Sequence, residues 1–130
     1  MQRWLGRYDE ITYTLMRVVV GALFACHGAQ KIFGVLGGQV VSGNALHVLG
    51  AWIELVGGLL VMLGLGAGFA AFVASGEMAV GYFMAHAPKG FWPIVNKGEL
   101  AVLYCFVFLY IASRGSGRFG LDRLLWRARK

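Results

Sequence analysis

Residues Arg17–Gly34 read RVVVGALFACHGAQKIFG, and the fold class turns on them. Most of the stretch is apolar or small, as a membrane-crossing helix requires. Arg17, His27, Gln30 and Lys31 interrupt it. A charge at the centre of a membrane helix costs about 2.5–3.5 kcal/mol on insertion scales, so these groups need partners. The rest of the chain has the same character: 58% of its 130 residues are hydrophobic and 14% are charged. A soluble domain carries about 25% charged residues. The 20 glycines fall largely within apolar runs, and glycine is more frequent in membrane helices than in soluble ones. The chain therefore reads as a single integral membrane domain over residues 1–130.

Four apolar segments stand out, at about 11–34, 46–65, 67–86 and 98–114. Spanning the hydrocarbon takes roughly 20 helical residues, and helices satisfy their own backbone hydrogen bonds in lipid. The expected architecture is an all-α bundle of four transmembrane helices. Asp9 and Asn44 stand where caps belong, and Asn96 with Glu99 has the spacing of a capping box. The first apolar run follows basic residues as a signal peptide does, but Arg17 breaks it and no small-residue cleavage site follows. It is expected to remain as a membrane anchor.

The net charge of +6 is concentrated at the two ends, in Arg3 and Arg7 and in Arg114, Arg118, Arg123, Arg127, Arg129 and Lys130. By the positive-inside rule both termini face the cytoplasm. This pattern suits anionic lipid and not nucleic acid. The tail 115–130 intersperses Leu121, Leu124, Leu125 and Trp126 among basic residues, as a short helix lying along the headgroups would. Cys26 and Cys105 make no C-x-x-C motif, so neither a metal site nor a functional disulfide is expected.

At 100° per residue, Arg17, Gly21, Phe24, His27, Gly28 and Lys31 share one face of the first helix. The second aligns His47, Gly50, Glu54 and Gly58; the third, Ala70, Ala74, Glu77, Gly81 and Met84; the fourth, Glu99, Phe106 and Tyr110. Small residues beside each polar group let helices approach closely. Alternating helix direction gathers His27, Lys31, His47, Glu54, Glu77, His86, Lys97 and Glu99 in the outer half of the bundle. The candidate ligand-binding set is Arg17, Phe24, His27, Lys31, His47, Glu54, Glu77, Glu99, Phe106 and Tyr110, with His27, Glu54 and Glu77 as proton-handling groups. The alternative is a set of ion pairs that fix helix register. Glu99 has a capping role open to it, Arg17 a snorkelling one, and His86 an interfacial structural one.

The run R-x3-G-x2-F-x2-HG-x2-K-x-FG from Arg17 to Gly34 resembles the first helix of the DoxX family. Glu54 with Gly57 and Gly58, Glu77 with Ala79, NKGELAVLY from Asn96 to Tyr104, and GSGRFGLD from Gly115 to Asp122 are similar as well. Gly120 stands where serine is common in that family. The resemblance implies a small multi-pass protein of the bacterial inner membrane, associated with oxidoreductase complexes that handle thiol, sulfur or oxidative stress.

Three functions follow as expectations. The first is a redox subunit that admits a quinone from the lipid and has no intrinsic cofactor, because no haem, iron–sulfur or dinucleotide motif is present. Its electrons would come from partner oxidoreductase subunits or directly from a substrate. The second is a non-catalytic scaffold or assembly factor that binds partner proteins. The third is a small-solute or proton transporter, which at this size calls for a homo-oligomer or an unusually small path.

Overall fold

The computed structural model describes residues 4–128 and is all-helical, with no strand among the described residues. Arg3, Arg129 and Lys130, three of the terminal basic residues used for orientation, lie outside the described residues.

Helix α1 runs Asp9–Phe33, with Asp9 and Glu10 in its first turn, where acidic groups favour the helix dipole. It stops at Gly34, whose φ of +69° turns the chain out of the helix while its N–H closes on the Gln30 carbonyl. Helix α2 spans Ala45–Leu63. The Asn44 side chain accepts the N–H of Leu46 and caps its start. Helix α3 spans Ala67–Lys89. A short helix α4, Pro93–Asn96, precedes α5, Glu99–Arg114, and α6 covers Leu121–Ala128.

The three helices α1, α2 and α3 are each long and apolar enough to cross a membrane. The sequence-based expectation of four spans is thus met at the level of three. Helix α5 has 16 residues, or about 24 Å at the α-helical rise, against a hydrocarbon core of about 30 Å. It packs along α3, while α1 lies against α2 and α2 against α3. Leu15, Val19, Leu23, Phe69 and Phe72 point outward and stay exposed, as lipid-facing side chains do.

Close approach of α1 and α2 depends on glycine. A Cβ on Gly21 would stand 2.6 Å from the Met62 nitrogen, and one on Gly58 would stand 2.5 Å from the Ala25 nitrogen. Backbone meets backbone at both points, which is how small residues join helices in lipid. The core between the helices is aromatic and small-residue: Phe24 packs 4.6 Å from Phe108 and 5.2 Å from Tyr104, centroid to centroid, over Ala70, Ala71 and Ala74.

The end that carries the α2–α3 turn is fastened by polar side chains. Arg17 is 1% exposed and Nη1 donates to the carbonyls of Val61 (2.7 Å) and Met62 (2.8 Å), among the last of α2. Asp122 accepts the Gly66 N–H ahead of α3, while its own N–H donates to the Gly64 carbonyl. Burial pushes the Asp122 carboxyl up, but the Ser116 hydroxyl and the N–H groups of Gly66 and Ala67 outweigh it and hold the group below the usual range. Nearby, Tyr13 donates to the Gly115 carbonyl at 2.6 Å, and Arg114 pairs with Glu10 at 2.7 Å.

The capping box expected at Asn96 and Glu99 does not form. Helix α5 starts at Glu99 itself, with Gly98 at the cap position, and the Asn96 side chain instead accepts the Gly98 N–H at 2.8 Å. Lys97, at φ +63°, shifts the helix start past the position the capping pattern implied.

Candidate functional site

At the end opposite the α2–α3 turn, α2 and α3 separate around a cavity of about 520 Å³. The volume lies within the range of small-molecule sites, about 300–1,000 Å³. Both helices are locally π-helical here, α2 at Ile53–Gly57 and α3 at Tyr82–His86. A π turn inserts a residue into the helix and changes the direction of the side chains that follow, and such turns are frequent at functional sites. Glu54 lies in the first and His86 in the second, and both line the cavity.

Glu54 is 2% exposed. One of its oxygens, Oε1, accepts from Lys31 Nζ at 2.7 Å, and Lys31 sits at the cavity wall, partly in the open. The other oxygen, Oε2, is buried and has no hydrogen-bond partner among the described residues, and the same holds for Glu77 Oε2. Glu77 reaches toward α2 because Gly50 leaves room: a Cβ there would stand 3.0 Å from Glu77 Oε1. Gly50 and Glu54 are one helical turn apart, so the two carboxyl groups meet the cavity from facing helices. His47 lines the cavity from an exposed position. Leu46, Leu49, Val80 and Met84 line it and are themselves exposed, so the cavity is open to the outside between α2 and α3.

His86 is held by the loop that follows. Its Nδ1–H donates to the Asn96 carbonyl at 3.2 Å. The Asn96 side chain, 1% exposed, donates to the Tyr82 hydroxyl at 3.0 Å and to the Gly90 carbonyl at 2.9 Å. The buried amide thus ties segment 90–98 to the end of α3.

Of the residues singled out from sequence, Lys31, His47, Glu54 and Glu77 come together at this cavity. The others do not. Arg17 lies near the α2–α3 turn among backbone carbonyls, with no carboxylate partner among the described residues, and it is buried, so it does not snorkel. Phe24 is in the aromatic core. His27 is half-buried, edge-on to Tyr104 at 6.0 Å, and does not line the cavity. Glu99 is exposed at the start of α5. Phe106 is 64% exposed and Tyr110 50% exposed, so the face of α5 that was aligned on Glu99 points outward. The inward face is Tyr104, Phe108 and Ile111, at i, i+4 and i+7. Assuming that Glu99 had to face inward rotated the whole helix.

Sequence reasoning gave His86 only a structural role and missed Gly50 as the gap that admits Glu77. The alignment of Gly50 with Glu54 was the available signal. The π turns left none. Cys26 and Cys105 are free thiols. No group of three His, Cys, Asp or Glu side chains able to hold a metal occurs among the described residues.

The model of the DoxX family matches residues 12–87. An uncharacterised protein of Haemophilus influenzae is 38% identical over 95% of this chain and 97% of its own length. A Bacillus subtilis protein named "Putative oxidoreductase CatD" is 27% identical over 97% of this chain and 96% of its own. No solved structure matches the chain.

Proposed function

The chain belongs to the DoxX family, and on that premise we propose that it is a multi-pass protein of the bacterial cytoplasmic membrane that serves an oxidoreductase complex by binding a quinone-class lipid in the cavity between α2 and α3. The observation that carries the ligand part is Glu54. A carboxyl that is 2% exposed, with one oxygen on Lys31 and the other unpartnered among the described residues, stands at the wall of a cavity with an apolar, open mouth. A ligand with an apolar body and a hydrogen-bonding head matches that wall. The redox setting draws support from the family and from the name of the Bacillus subtilis relative. Glu54 and Glu77 are the groups placed to take or return protons during a two-electron conversion.

The reading includes α5 as a fourth crossing, with both termini and the α2–α3 turn in the cytoplasm and the cavity in the outer half of the bundle. The basic residues near the ends support it: Arg7, Arg114, Arg118 and Arg123 all belong to that side. Reporter fusions at residue 66 and at the C-terminus should report cytoplasm, and one near Lys89 should not. An external signal from the C-terminus would reverse the topology.

The ligand reading is tested by titrating purified protein with a short-chain benzoquinone, wild type against Glu54→Ala, with circular dichroism as the folding control. Binding that weakens at least tenfold in a folded variant supports the site. A scaffold role draws its support from Phe91, Trp92 and Ile94, which are 82%, 65% and 76% exposed on segment 90–98 and its short helix. A co-purifying partner in the absence of any quinone binding would put that role first.

A further inference from the structure

The buried unsatisfied groups of the cavity wall are two carboxylate oxygens. Glu54 Oε2 and Glu77 Oε2 are both buried and unpartnered among the described residues. His86 adds a third acceptor. Its Nδ1 faces a backbone carbonyl, which can only accept, so in the neutral ring Nδ1 holds the proton and Nε2 is left with a lone pair. On the donor side, Lys31 spends one N–H on Glu54 Oε1 at 2.7 Å and keeps two at the partly exposed rim, where His47 also stands exposed. Lys31 offsets Glu54, while Glu77 has no ion-pair partner among the described residues. A buried acceptor left without a donor costs about 1–3 kcal/mol, so an occupant that brings donors is favoured over one that brings acceptors.

We propose that the cavity recognises its ligand in the reduced, hydrogen-bond-donating form: an aromatic diol with an apolar body, whose hydroxyl protons face Glu54 and Glu77. This rests on the quinone-class reading above and gives it a direction. A quinone presents two carbonyl oxygens to a wall that is already rich in acceptors. The corresponding hydroquinone presents two O–H donors of the same size and shape. Gly50 is part of the specificity, because it is the gap that lets Glu77 reach the wall of α2.

The experiment is a calorimetric titration in detergent, under anaerobic conditions, with one alkyl-1,4-benzoquinone and its hydroquinone. The hydroquinone is expected to bind at least about tenfold more tightly, the size of one charge-assisted hydrogen bond. Glu77→Gln replaces one acceptor oxygen with a donor amide at constant shape and should narrow that ratio to within about threefold. Glu54→Gln, read in the same way, provides a second variant should the first fail to fold. Equal binding of the two forms, tighter binding of the quinone, or an unchanged ratio in both folded variants would overturn the preference and leave the ligand class standing. Binding of neither form would overturn the ligand class itself.

Discussion

Arg17→Met is the perturbation that most directly tests how the α2–α3 turn is held. Methionine nearly keeps the volume and removes the guanidinium. The arginine is 1% exposed and makes two short hydrogen bonds, to Val61 O at 2.7 Å and Met62 O at 2.8 Å. Hydrogen bonds to a charged group contribute about 1.5–3 kcal/mol each, so about 3–6 kcal/mol is lost before any offset. Two offsets follow from the structure. The Val61 carbonyl keeps a bond from the Gly64 N–H at 3.1 Å. Among the described residues the buried cation has no carboxylate beside it and its Nε has no partner, so removing it relieves part of a large desolvation cost. A net loss of about 2–3 kcal/mol remains, near half the gross value. At about 4 °C per kcal/mol for a chain of this size, the thermal midpoint should fall by about 10 °C.

The assay is thermal unfolding in one detergent, followed by circular dichroism, with Arg17→Lys alongside. The lysine keeps the charge near the negative end of α2 but lacks the planar fork that serves two carbonyls at once. It should therefore fall between wild type and Arg17→Met. A midpoint for Arg17→Met within about 2 °C of wild type would mean that the two bonds contribute nothing net, and that arginine is tolerated at this position rather than required.

Asp122 gives a pH prediction. Its carboxyl is held below the usual range in the folded state, so the unfolded chain binds the proton more readily. The stability it contributes is present above the ordinary aspartate pKa of about 3.9 and is lost as pH falls through the lower folded value. Thermal midpoints below about pH 4 should therefore fall more steeply for wild type than for Asp122→Asn, and parallel curves would contradict the cap. Gly58→Ala should destabilise by about 1–3 kcal/mol or more, because the new Cβ meets the Ala25 backbone at 2.5 Å; denaturation in mixed micelles measures it, and a neutral result would show that the helices can slide apart cheaply. Glu99→Gln should leave both stability and ligand binding at wild-type levels, since Glu99 is exposed and away from the cavity, whereas Glu54→Gln should alter binding. A harmful Glu99→Gln beside a silent Glu54→Gln would move the site out of the cavity.

What the sequence made legible is what hydropathy and charge control. Runs of apolar residues broken by LGLGAG and by the loop ahead of Asn44 predict helices at about 11–34, 46–65 and 67–86, and helices occupy Asp9–Phe33, Ala45–Leu63 and Ala67–Lys89. Helical periodicity also put Gly50 and Glu54 on one face and Lys31 on the side of α1 that meets it. Rotation about the helix axis was less secure. On α5 the exposed Glu99 was used to choose the face, although a carboxylate at a helix start is content in water or headgroups and says little about the core. Tyr104, Phe108 and Ile111 give an equally regular stripe and are the buried one. The π turns at Ile53–Gly57 and Tyr82–His86 were invisible because they shift the register by a residue and leave the composition unchanged.

The opening stretch joins two different solutions to one problem. Arg17 and Lys31 share a helical face but lie 14 residues apart, about 21 Å along the helix. At one end Arg17 is satisfied by backbone carbonyls that α2 leaves free where it stops, and Gly64 and Gly120 let the turn close on it. Those bonds engage Nη1, while Nε is left without a partner among the described residues. At the other end Lys31 meets only one oxygen of Glu54, and Glu77 arrives through the gap at Gly50 with an oxygen to spare. A Cβ at position 50 would press on Glu77 Oε1 at 3.0 Å, so glycine there keeps that carboxyl at the wall of α2. The cation at the first end therefore reads as structural. The one at the second is paired with a single oxygen, and Glu54 Oε2 and Glu77 Oε2 beside it have no partner among the described residues.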